Sequence, residues 1–318
     1  MAGDQRQSHK RCRNRSSGPS SLGDTDVPEL PEVETIRRTL APLLIGATVL
    51  AALRGERPDD ILLDPWPIFA RRVRGRQIVA LERRGKYLAL RFSDEGRLLI
   101  HLGMTGEFRL SRPDVPPPRH CHIGLVLRSP YPLPATLIDR RRRFVLRYRD
   151  IRRFGRIGLL APEDWAALSQ RLGPEPLDPD LDAFTLWQRL VHHHTSVKAA
   201  LLNQALIAGI GNIYADEALF QAGIHPLRRC DTLTLSEVER LLTALRSVLT
   251  AAIESQGTTI RDYRDAHGRT GRYQFQLQIY GQRPGTPCPR CGTPLERVRV
   301  AGRSSTACPQ CQPLACNT

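Results

Sequence analysis

One change in the hydrophobic pattern constrains the fold of this chain more than any other feature. Between 47 and 160 the apolar residues form short runs with strand-like alternation, divided by Gly, Pro and Asp. These runs are 48–53, 78–84, 86–92, 97–102, 122–127, 135–139, 144–149 and 156–160. From 183 to 256 the apolar spacing is helical instead, and the proline-rich segment 172–182 lies between the two patterns. We therefore predict a strand-rich domain of sandwich or barrel type, a boundary, and a helical domain.

A single helix is predicted ahead of the strands. Apolar residues recur every three or four positions from Leu30 to Leu44, Pro31 suits the first turn, and Gly46 suits the end. Nothing in this helix requires Pro28. The residues before it contain almost no apolar side chain, so they cannot offset the entropy of ordering, and we predict a disordered extension over 1–27.

The charge balance points to a polyanionic partner. The 318 residues include 47 Lys and Arg against 32 Asp and Glu, a formal net charge of +15. This excess, mostly arginine, favours nucleic acid over an anionic membrane surface. The chain has no run of 18 apolar residues and no basic-then-apolar segment at its start. We therefore expect a soluble, cytoplasmic protein.

Four of the eight cysteines form two Cys-x2-Cys pairs, Cys288 with Cys291 and Cys308 with Cys311, separated by sixteen residues. This spacing predicts one structural Zn²⁺ held by four thiolates, with a β-hairpin between the pairs. The alternative, two redox disulfides, lacks the thioredoxin-like βαβ pattern that would support it. The remaining cysteines, Cys12, Cys121, Cys230 and Cys316, have no part in this scheme.

Several motifs resemble one family. They are PELPEVET (28–35), RRGKYL (83–88), HLGMTG (101–106), DIRRFG (150–155), LGPEPL (172–177), GIGNIYADEALF (209–220), GTTIRDY (257–263) and QIYG (278–281). With the four cysteines, their order and spacing resemble the bacterial formamidopyrimidine-DNA glycosylases, which remove 8-oxoguanine and ring-opened purines in base excision repair. The resemblance runs from Pro28 to about Gln312.

The resemblance implies an α+β fold: an N-terminal β-sandwich with a catalytic helix, a helical helix-two-turn-helix domain, and a C-terminal zinc-finger β-hairpin. We accordingly expect a catalytic domain over 28–160, a linker over 161–182 and the DNA-binding domain over 183–275. The zinc finger would take 276–318. A polar stretch, 261–273, resembles the loop that caps the displaced base.

The family's nucleophile is an N-terminal proline, which Pro28 matches. An internal proline nitrogen is a tertiary amide and cannot attack, so the resemblance implies that the active chain begins at Pro28. Val27 is what an internal GUG start codon would give, and we expect 1–27 to be absent from the mature protein. Glu29 matches the acid that protonates the sugar ring oxygen. Glu32 matches a supporting carboxylate, or is only an acid favourable to the helix dipole, and Glu34 is expected to face solvent.

Two basic residues match the family's elimination chemistry. Lys86 matches the lysine that assists β-elimination, and the neighbouring Arg83 and Arg84 suggest a strip that faces phosphates. Arg303, five residues before Cys308, matches the arginine assigned to the lesion phosphate and δ-elimination.

The other residues that match the family are implied to contact DNA. Phosphate contacts are implied for His101, His120, His194, Lys198 and Asn212. Within the histidine run 192–194, only one residue can face such a site, and a metal cluster there is the weaker interpretation. Because flipping a base leaves a hole in the stack, three residues are implied to fill it: Met104, Arg152 and Phe154.

We conclude from the sequence that the chain resembles a monomeric bifunctional DNA glycosylase and AP lyase. It would act on oxidised purines in damaged double-stranded DNA, with structural zinc and no nucleotide cofactor. One alternative is an endonuclease VIII-like enzyme for oxidised pyrimidines, although Pro-Glu-Leu-Pro at 28–31 departs from the Pro-Glu-Gly-Pro typical of those. The other is a non-catalytic, zinc-dependent DNA-binding protein, if residues 1–27 stay attached and acylate Pro28.

Overall fold

A computed structural model describes residues 28–260, 263–265 and 268–314. The predicted extension over 1–27, with Cys12, lies outside the described residues, as does Cys316.

Two four-stranded antiparallel sheets form the N-terminal domain. One has the order β1-β6-β7-β5, and the other has the order β2-β3-β4-β8. The strands are β1 (Thr48–Arg54), β2 (Ile78–Arg84), β3 (Tyr87–Phe92), β4 (Arg97–His101), β5 (Gly106–Ser111), β6 (Cys121–Arg128), β7 (Arg143–Asp150) and β8 (Arg156–Leu160). Apolar side chains from both sheets meet in one core, for example Phe92, Leu125 and Leu146. The predicted sandwich is confirmed.

The strand prediction fails at a few places for local reasons. The run 135–139 is a turn rather than a strand, with Leu137 N donating to Pro134 O at 2.8 Å. Strand β5 was not predicted, because its charged residues interrupt the apolar pattern. Two short helices were also missed: α2 (Trp66–Val73) and α3 (Pro162–Arg171), the latter inside the expected linker.

Helix α1 (Leu30–Leu44) belongs to both domains. Val33, Ile36 and Leu40 are buried in the sandwich core. Leu30, at the first turn, packs instead in the core of the helical domain, and its N–H donates to Gly209 O at 3.0 Å. The N-terminal end of the helix is therefore fixed by the second domain.

The helical domain contains α4 (Ala183–Val191), α5 (Val197–Leu202), α6 (Asn212–Ala222) and α7 (Leu235–Glu254). The apolar run 196–209 is helical only to Leu202, because Asn203 Oδ1 then accepts from Ala205 N at 3.0 Å and starts a turn. This turn leads into α6, which is buried along most of its length. None of the described helices combines the length and apolar composition that crossing a membrane requires.

A two-stranded hairpin, β9 (Glu296–Val300) and β10 (Arg303–Ala307), packs against the end of α6. Phe220 of α6 lies in a small core with Ile279 and Leu295. Glu217 of α6 accepts three backbone N–H groups from 278–280 at 2.7 to 3.0 Å. The segment before the hairpin is thereby tied to α6, and β10 contacts the same N-terminal part of α6 that meets α1.

Candidate active site

The N-terminus of α1 carries a buried carboxylate that a second helix holds. Glu29 is 3% exposed. Its Oε2 accepts a hydrogen bond of 2.7 Å from Gly211 N, and its Oε1 accepts one of 2.9 Å from Ile213 N. The first N–H groups of a helix have no intrahelical partner and carry partial positive charge, so they suit an anion. Helix α6 thus fixes the Glu29 carboxylate beside Pro28, which is also buried.

A second buried carboxylate lies one turn further along α1. Glu32 Oε2 accepts from Glu29 N at 2.9 Å and closes the capping box of this helix. Its Oε1 accepts from Thr258 N at 2.7 Å and from the Tyr214 hydroxyl at 2.5 Å. Glu32 therefore connects α1 to α6 and to the segment after α7. The position suits both interpretations of Glu32, since it lies in the first turn of the helix and beside Glu29.

Burial shifts the two carboxyl groups in the same direction. Desolvation raises the pKa of Glu29, and the Lys86 ammonium and the N–H groups of α6 oppose that rise. Desolvation, followed by repulsion from Glu29, raises the pKa of Glu32 to about 7. The groups therefore titrate as a coupled pair that retains a proton at a pH where free carboxylic acids are ionised. Such a pair suits proton transfer.

Lys86 approaches Glu29 from the turn between β2 and β3. It is 7% exposed, and its charge acts on the Glu29 carboxylate. The preceding residue, Gly85, lies against the turn before α6, since a Cβ on it would be 3.4 Å from Gly209 N. The structure thus places three of the sequence-predicted catalytic residues together beside Pro28: Glu29, Glu32 and Lys86.

Arg83 and Arg84 are engaged inside the protein. Arg83 forms ion pairs with Glu34 at 3.2 Å and with Glu175 at 2.6 Å. Arg84 forms an ion pair with Glu175 at 3.0 Å, and its Nη2 also donates to the carbonyls of residues 169, 172 and 173. The expectation of a phosphate-facing strip is wrong for these residues, because carboxylates and carbonyls already satisfy both guanidinium groups.

Two acids form this network, and the burial of one of them, Glu34, differs from what the sequence predicted. Glu34 was expected to face solvent, which is wrong: it is 7% exposed and contacts Arg37, Arg38 and Arg83. Burial alone would raise the pKa of Glu34, but the arginines lower it to about 2. Glu175 belongs to the boundary segment 172–182 and also accepts from the backbone N–H of residue 85 at 2.6 Å. It therefore links the domain boundary to the turn that carries the lysine.

We predict that Glu175→Gln destabilises this junction. The substitution leaves two partly buried guanidinium groups without their shared carboxylate, which costs about 2 kcal/mol once their partial exposure is allowed for. Thermal unfolding should then begin roughly 5 °C lower. Glu95→Gln is the matched control, because the Arg91–Glu95 pair is on the surface and should contribute little. Equal midpoints for the two variants would contradict the prediction.

Lys198 differs from the expectation of a DNA contact. Its side chain has no exposed surface and forms an ion pair with Asp216 at 2.7 Å, together with a short hydrogen bond to Ser305 Oγ. A phosphate cannot reach it in this conformation. Burial lowers the pKa of Lys198, and the charges of Asp216 and Glu29 oppose that shift, whereas Arg303 adds to it. The charges of Glu29 and of the β10 residue expected to clamp the phosphate thus both act on Lys198.

The other expected phosphate contacts lie in different parts of the site. Asn212 begins α6, and its Nδ2 donates to Ser304 O at 3.4 Å. His101 ends β4, where its Nδ1 accepts from Gly103 N and its ring lies 5.1 Å from that of Tyr87.

His120 and His194 each bond to an acidic residue. His120, at a φ of 62°, has its backbone N–H bonded to Glu56 at 2.7 Å. His194 is largely exposed and pairs with Asp231 at 2.8 Å. Among the described residues, no metal cluster involves the histidine run 192–194.

The three residues expected to fill the vacated stack lie on two adjacent loops of the sandwich. Met104 is largely buried, in the loop between β4 and β5. Arg152 and Phe154 lie between β7 and β8, and the Arg152 guanidinium is 4.9 Å from the centre of the Phe154 ring. Arg152 itself is exposed.

Part of the expected capping loop also contacts the carboxylate site. Residues 261–262 and 266–267 lie outside the described residues. Of the remainder, Tyr263 places its hydroxyl 3.5 Å from Glu32 O, and Asp265 pairs with Arg269 at 2.8 Å. The described part of this segment therefore begins beside the acid pair.

The four cysteines of the hairpin region form a site for one zinc ion. Their Sγ atoms all lie within 4.8 Å of one another. Cys288 and Cys311 are 3.8 Å apart at sulfur, and Cys291 and Cys308 are 3.5 Å apart. A tetrahedral ion with Zn–S bonds of about 2.3 Å requires S–S edges of roughly 3.8 Å, so the arrangement fits. All four ligands come from protein, which assigns the ion a structural role.

Comparison with known proteins establishes the family. The formamidopyrimidine-DNA glycosylase N-terminal domain matches residues 27–157, and the H2TH domain of the same enzymes matches residues 172–264. The zinc finger found in FPG and IleRS matches residues 285–314. A formamidopyrimidine-DNA glycosylase of Thermomicrobium roseum is 70% identical over 288 residues, which span 91% of this chain and 100% of that protein. The chain belongs to the formamidopyrimidine-DNA glycosylase family.

Other formamidopyrimidine-DNA glycosylases support this assignment. That of Herpetosiphon aurantiacus is 43% identical over 286 residues, spanning 90% of this chain and 100% of that protein. The fold matches a variant Lactococcus lactis FPG in complex with Fapy-dG-containing DNA, with a TM-score of 0.79, 34% identity, and coverage of 90% of this chain and 100% of that one. A Lactococcus lactis Fpg bound to DNA with an abasic site matches with the same TM-score and identity, over 90% and 99% of the two chains.

Sequence reasoning missed the residues that hold the glycosylase motifs in place. Tyr214 and Thr258 bind Glu32, yet each lies inside a motif that was recognised for other residues. Asp216 is buried at α6 and its pKa rises to about 6 through desolvation, which Lys198 opposes. The sequence shows only the type of each of these side chains, and an acid or a tyrosine on a helix is ordinarily interpreted as a surface or core residue.

Proposed function

We propose that the protein excises oxidised purines, 8-oxoguanine and formamidopyrimidines, from duplex DNA and then cleaves the strand by β,δ-elimination. It acts as a monomer on DNA of the cytoplasmic nucleoid. One observation carries the proposal: the Glu29 carboxyl group, whose pKa is raised by burial, is fixed by a helix N-terminus next to a buried Pro28, in a member of the glycosylase family. The net charge of +15 supports a DNA partner.

The chemistry starts at the Pro28 nitrogen. In a chain that begins there, this nitrogen is a secondary amine, and its lone pair attacks C1′ of the flipped nucleotide. The glycosidic bond breaks, its electron pair leaves with the base, and the base takes up the proton that the Pro28 nitrogen releases. Glu29 gives its proton to the sugar ring oxygen as the ring opens, which leaves an iminium between Pro28 and C1′. The pKa of Glu29, raised by burial, keeps that proton available.

Basic residues would then assist strand cleavage. Lys86 faces Glu29 and is our candidate for assisting β-elimination, while Arg303, the first residue of β10, is our candidate for holding the phosphate and for δ-elimination. The zinc site shapes the hairpin that presents Arg303. We assign Asn212, His101, His120 and His194 to phosphate contacts.

The proposal is tested by incubating the zinc-loaded protein with three duplexes. One carries 8-oxoguanine opposite cytosine, one carries an oxidised pyrimidine, and one is undamaged. We expect release of 8-oxoguanine and a strand break with phosphates on both sides of the gap. Preferred release of the oxidised pyrimidine would instead support the endonuclease VIII-like alternative. Binding without release of any base, by a chain that begins at Pro28, would support a non-catalytic DNA-binding protein.

We predict that Glu32→Gln moves the high-pH limb of the pH–rate profile to lower pH. An acid must be protonated to act, so the rate falls as pH rises through the pKa of the carboxyl pair. The Glu29 charge raises the pKa of Glu32, and because this repulsion is mutual, removing the Glu32 charge lets Glu29 lose its proton at lower pH. The measurement is kcat/KM for base release across pH. Glu163→Gln, at an exposed position, should leave the limb in place; a limb that stays in place in Glu32→Gln as well would contradict the prediction.

A further inference from the structure

Two loops of the sandwich touch each other through their backbones. We call residues 102–105 the methionine loop and residues 151–155 the arginine loop. A Cβ on Gly103 would lie 2.5 Å from Gly155 N, and a Cβ on Gly155 would lie 1.8 Å from the Tyr148 hydroxyl. A side chain at Gly103 would push the two loops apart, and one at Gly155 would displace the Tyr148 side chain beneath them.

A buried carboxylate lies beneath this junction. Asp150, the last residue of β7, has no exposed surface. Its Oδ1 accepts from the Thr105 hydroxyl at 2.5 Å and from Arg152 N at 3.2 Å. Its Oδ2 accepts from Gly155 N at 2.8 Å and lies 3.4 Å from the Tyr148 hydroxyl. One carboxylate therefore bonds to both ends of the arginine loop and to the methionine loop.

Thr105 completes the connection between the loops. Its hydroxyl donates a hydrogen bond to Asp150 Oδ1 and accepts one of 2.9 Å from Arg152 N. On the other side, the Tyr148 hydroxyl lies 3.3 Å from Leu102 O, at the start of the methionine loop. The main chain of Asp150 is itself held, because its carbonyl lies 2.8 Å from His122 Nε2 on β6.

The residues that hold the two loops together are different from the residues that the loops expose. A buried carboxylate is costly unless its oxygens are hydrogen-bonded, and here neutral donors satisfy both of them. A fully satisfied network of this kind has a single arrangement. Above it, Arg152 is exposed and stacked with Phe154, whereas Thr105 is buried.

We infer that Asp150 and Thr105 are positioning residues that lock the methionine and arginine loops into one rigid unit. This unit presents Met104, Arg152 and Phe154 to the DNA stack together rather than separately. The inference rests on the proposed function, in which those three side chains fill the space of the flipped base and contact the opposite base. Neither Asp150 nor Thr105 contacts DNA in this scheme.

The test uses Thr105→Val, which removes the hydroxyl while nearly preserving shape, and Asp150→Asn as a second variant. Each zinc-loaded protein, comprising residues 28–318, is given three substrates: 8-oxoguanine opposite cytosine in a duplex, 8-oxoguanine opposite adenine in a duplex, and an abasic site in a single-stranded oligonucleotide. A single strand has no stack to fill. We expect Thr105→Val to slow excision from the duplex by about tenfold and to reduce the preference for cytosine, while cleavage of the single strand stays within about twofold. Thr39→Val is the matched control, because it also removes a partly buried hydroxyl that bonds to the backbone. It should change neither the rate of excision from the duplex nor the preference for cytosine.

The outcomes separate the inference from the proposed function. If the unsubstituted protein excises no damaged base, the proposed function is wrong. If it is active but Thr105→Val slows the duplex and single-strand reactions equally, the residue acts on the fold as a whole and the inference is wrong. It is also wrong if Thr105→Val matches Thr39→Val on the duplex. Should Asp150→Asn fail to fold, the result for Thr105→Val alone decides.

Discussion

A chain that begins at Pro28 should be trapped on 8-oxoguanine DNA by borohydride, and a chain that keeps residues 1–27 should not. Borohydride reduces an iminium to a stable amine, so the trapped complex reports the covalent intermediate. With residues before it, the Pro28 nitrogen is a tertiary amide whose lone pair is delocalised into the carbonyl, and no iminium can form. We expect the difference to be all or none, read as a shifted band on a denaturing gel.

Lys86 provides the control for this experiment, because its ammonium acts on Glu29, whereas Lys198, on which the Glu29 charge also acts, is fully buried and paired with Asp216. Lys86→Ala in the chain that begins at Pro28 should still be trapped, with slower strand cleavage. Equal trapping of the long and short chains, abolished by Lys86→Ala, would instead make the lysine the nucleophile and the mechanism proposed for Pro28 wrong.

Gly211→Ala should reduce base excision by about 100-fold or more. A Cβ at this position would lie 2.3 Å from Glu29 Cδ and 2.4 Å from its Oε1, so the carboxylate must leave the N-terminus of α6. Loss of a well-placed general acid typically costs 10²-fold to 10⁴-fold, roughly. The backbone at Gly211, with φ −129° and ψ −157°, is open to alanine, so the effect comes from contact with Glu29 and not from strain.

The measurement is single-turnover release of 8-oxoguanine, together with zinc content and the thermal midpoint. Gly96→Ala is the matched control, because the nearest atom its Cβ would meet is the end of the Arg76 side chain, which can move aside. Both variants should retain one zinc per chain. A Gly211→Ala protein with normal excision would show that the Glu29 carboxylate does not act from the position described here.

Local patterns in the sequence were enough for the architecture. Alternation predicted seven of the strands, and helical spacing predicted α1 and the helical character of 183–256. The failures have local causes too: 135–139 follows Pro134 and closes as a turn, while the charged residues of β5 concealed its apolar face. Motifs likewise led to the acid pair and the four cysteines, because each of these depends on short spacing.

The contacts that support the site could not be predicted from the sequence, for a different reason. Glu175 binds Gly85 from 90 positions away, and nothing in a proline-rich boundary segment indicates which turn it will meet. Lys198 was read as a surface cation, as most lysines are, but Asp216 neutralises it in the interior. An ion pair of this kind depends on which elements pack together, and that is decided only when the whole chain has folded.

The division of α1 between two cores has a consequence for how the protein is made. The buried residues of the core that holds Val33, Ile36 and Leu40 have left the ribosome once β8 has, whereas Leu30 needs side chains from helices synthesised later. The first turn of α1 is thus translated long before the helices that it packs against. A nascent chain can bury most of α1 while Glu29 still lacks the amides of α6, so the proton-holding pair does not exist until the DNA-binding half has been synthesised.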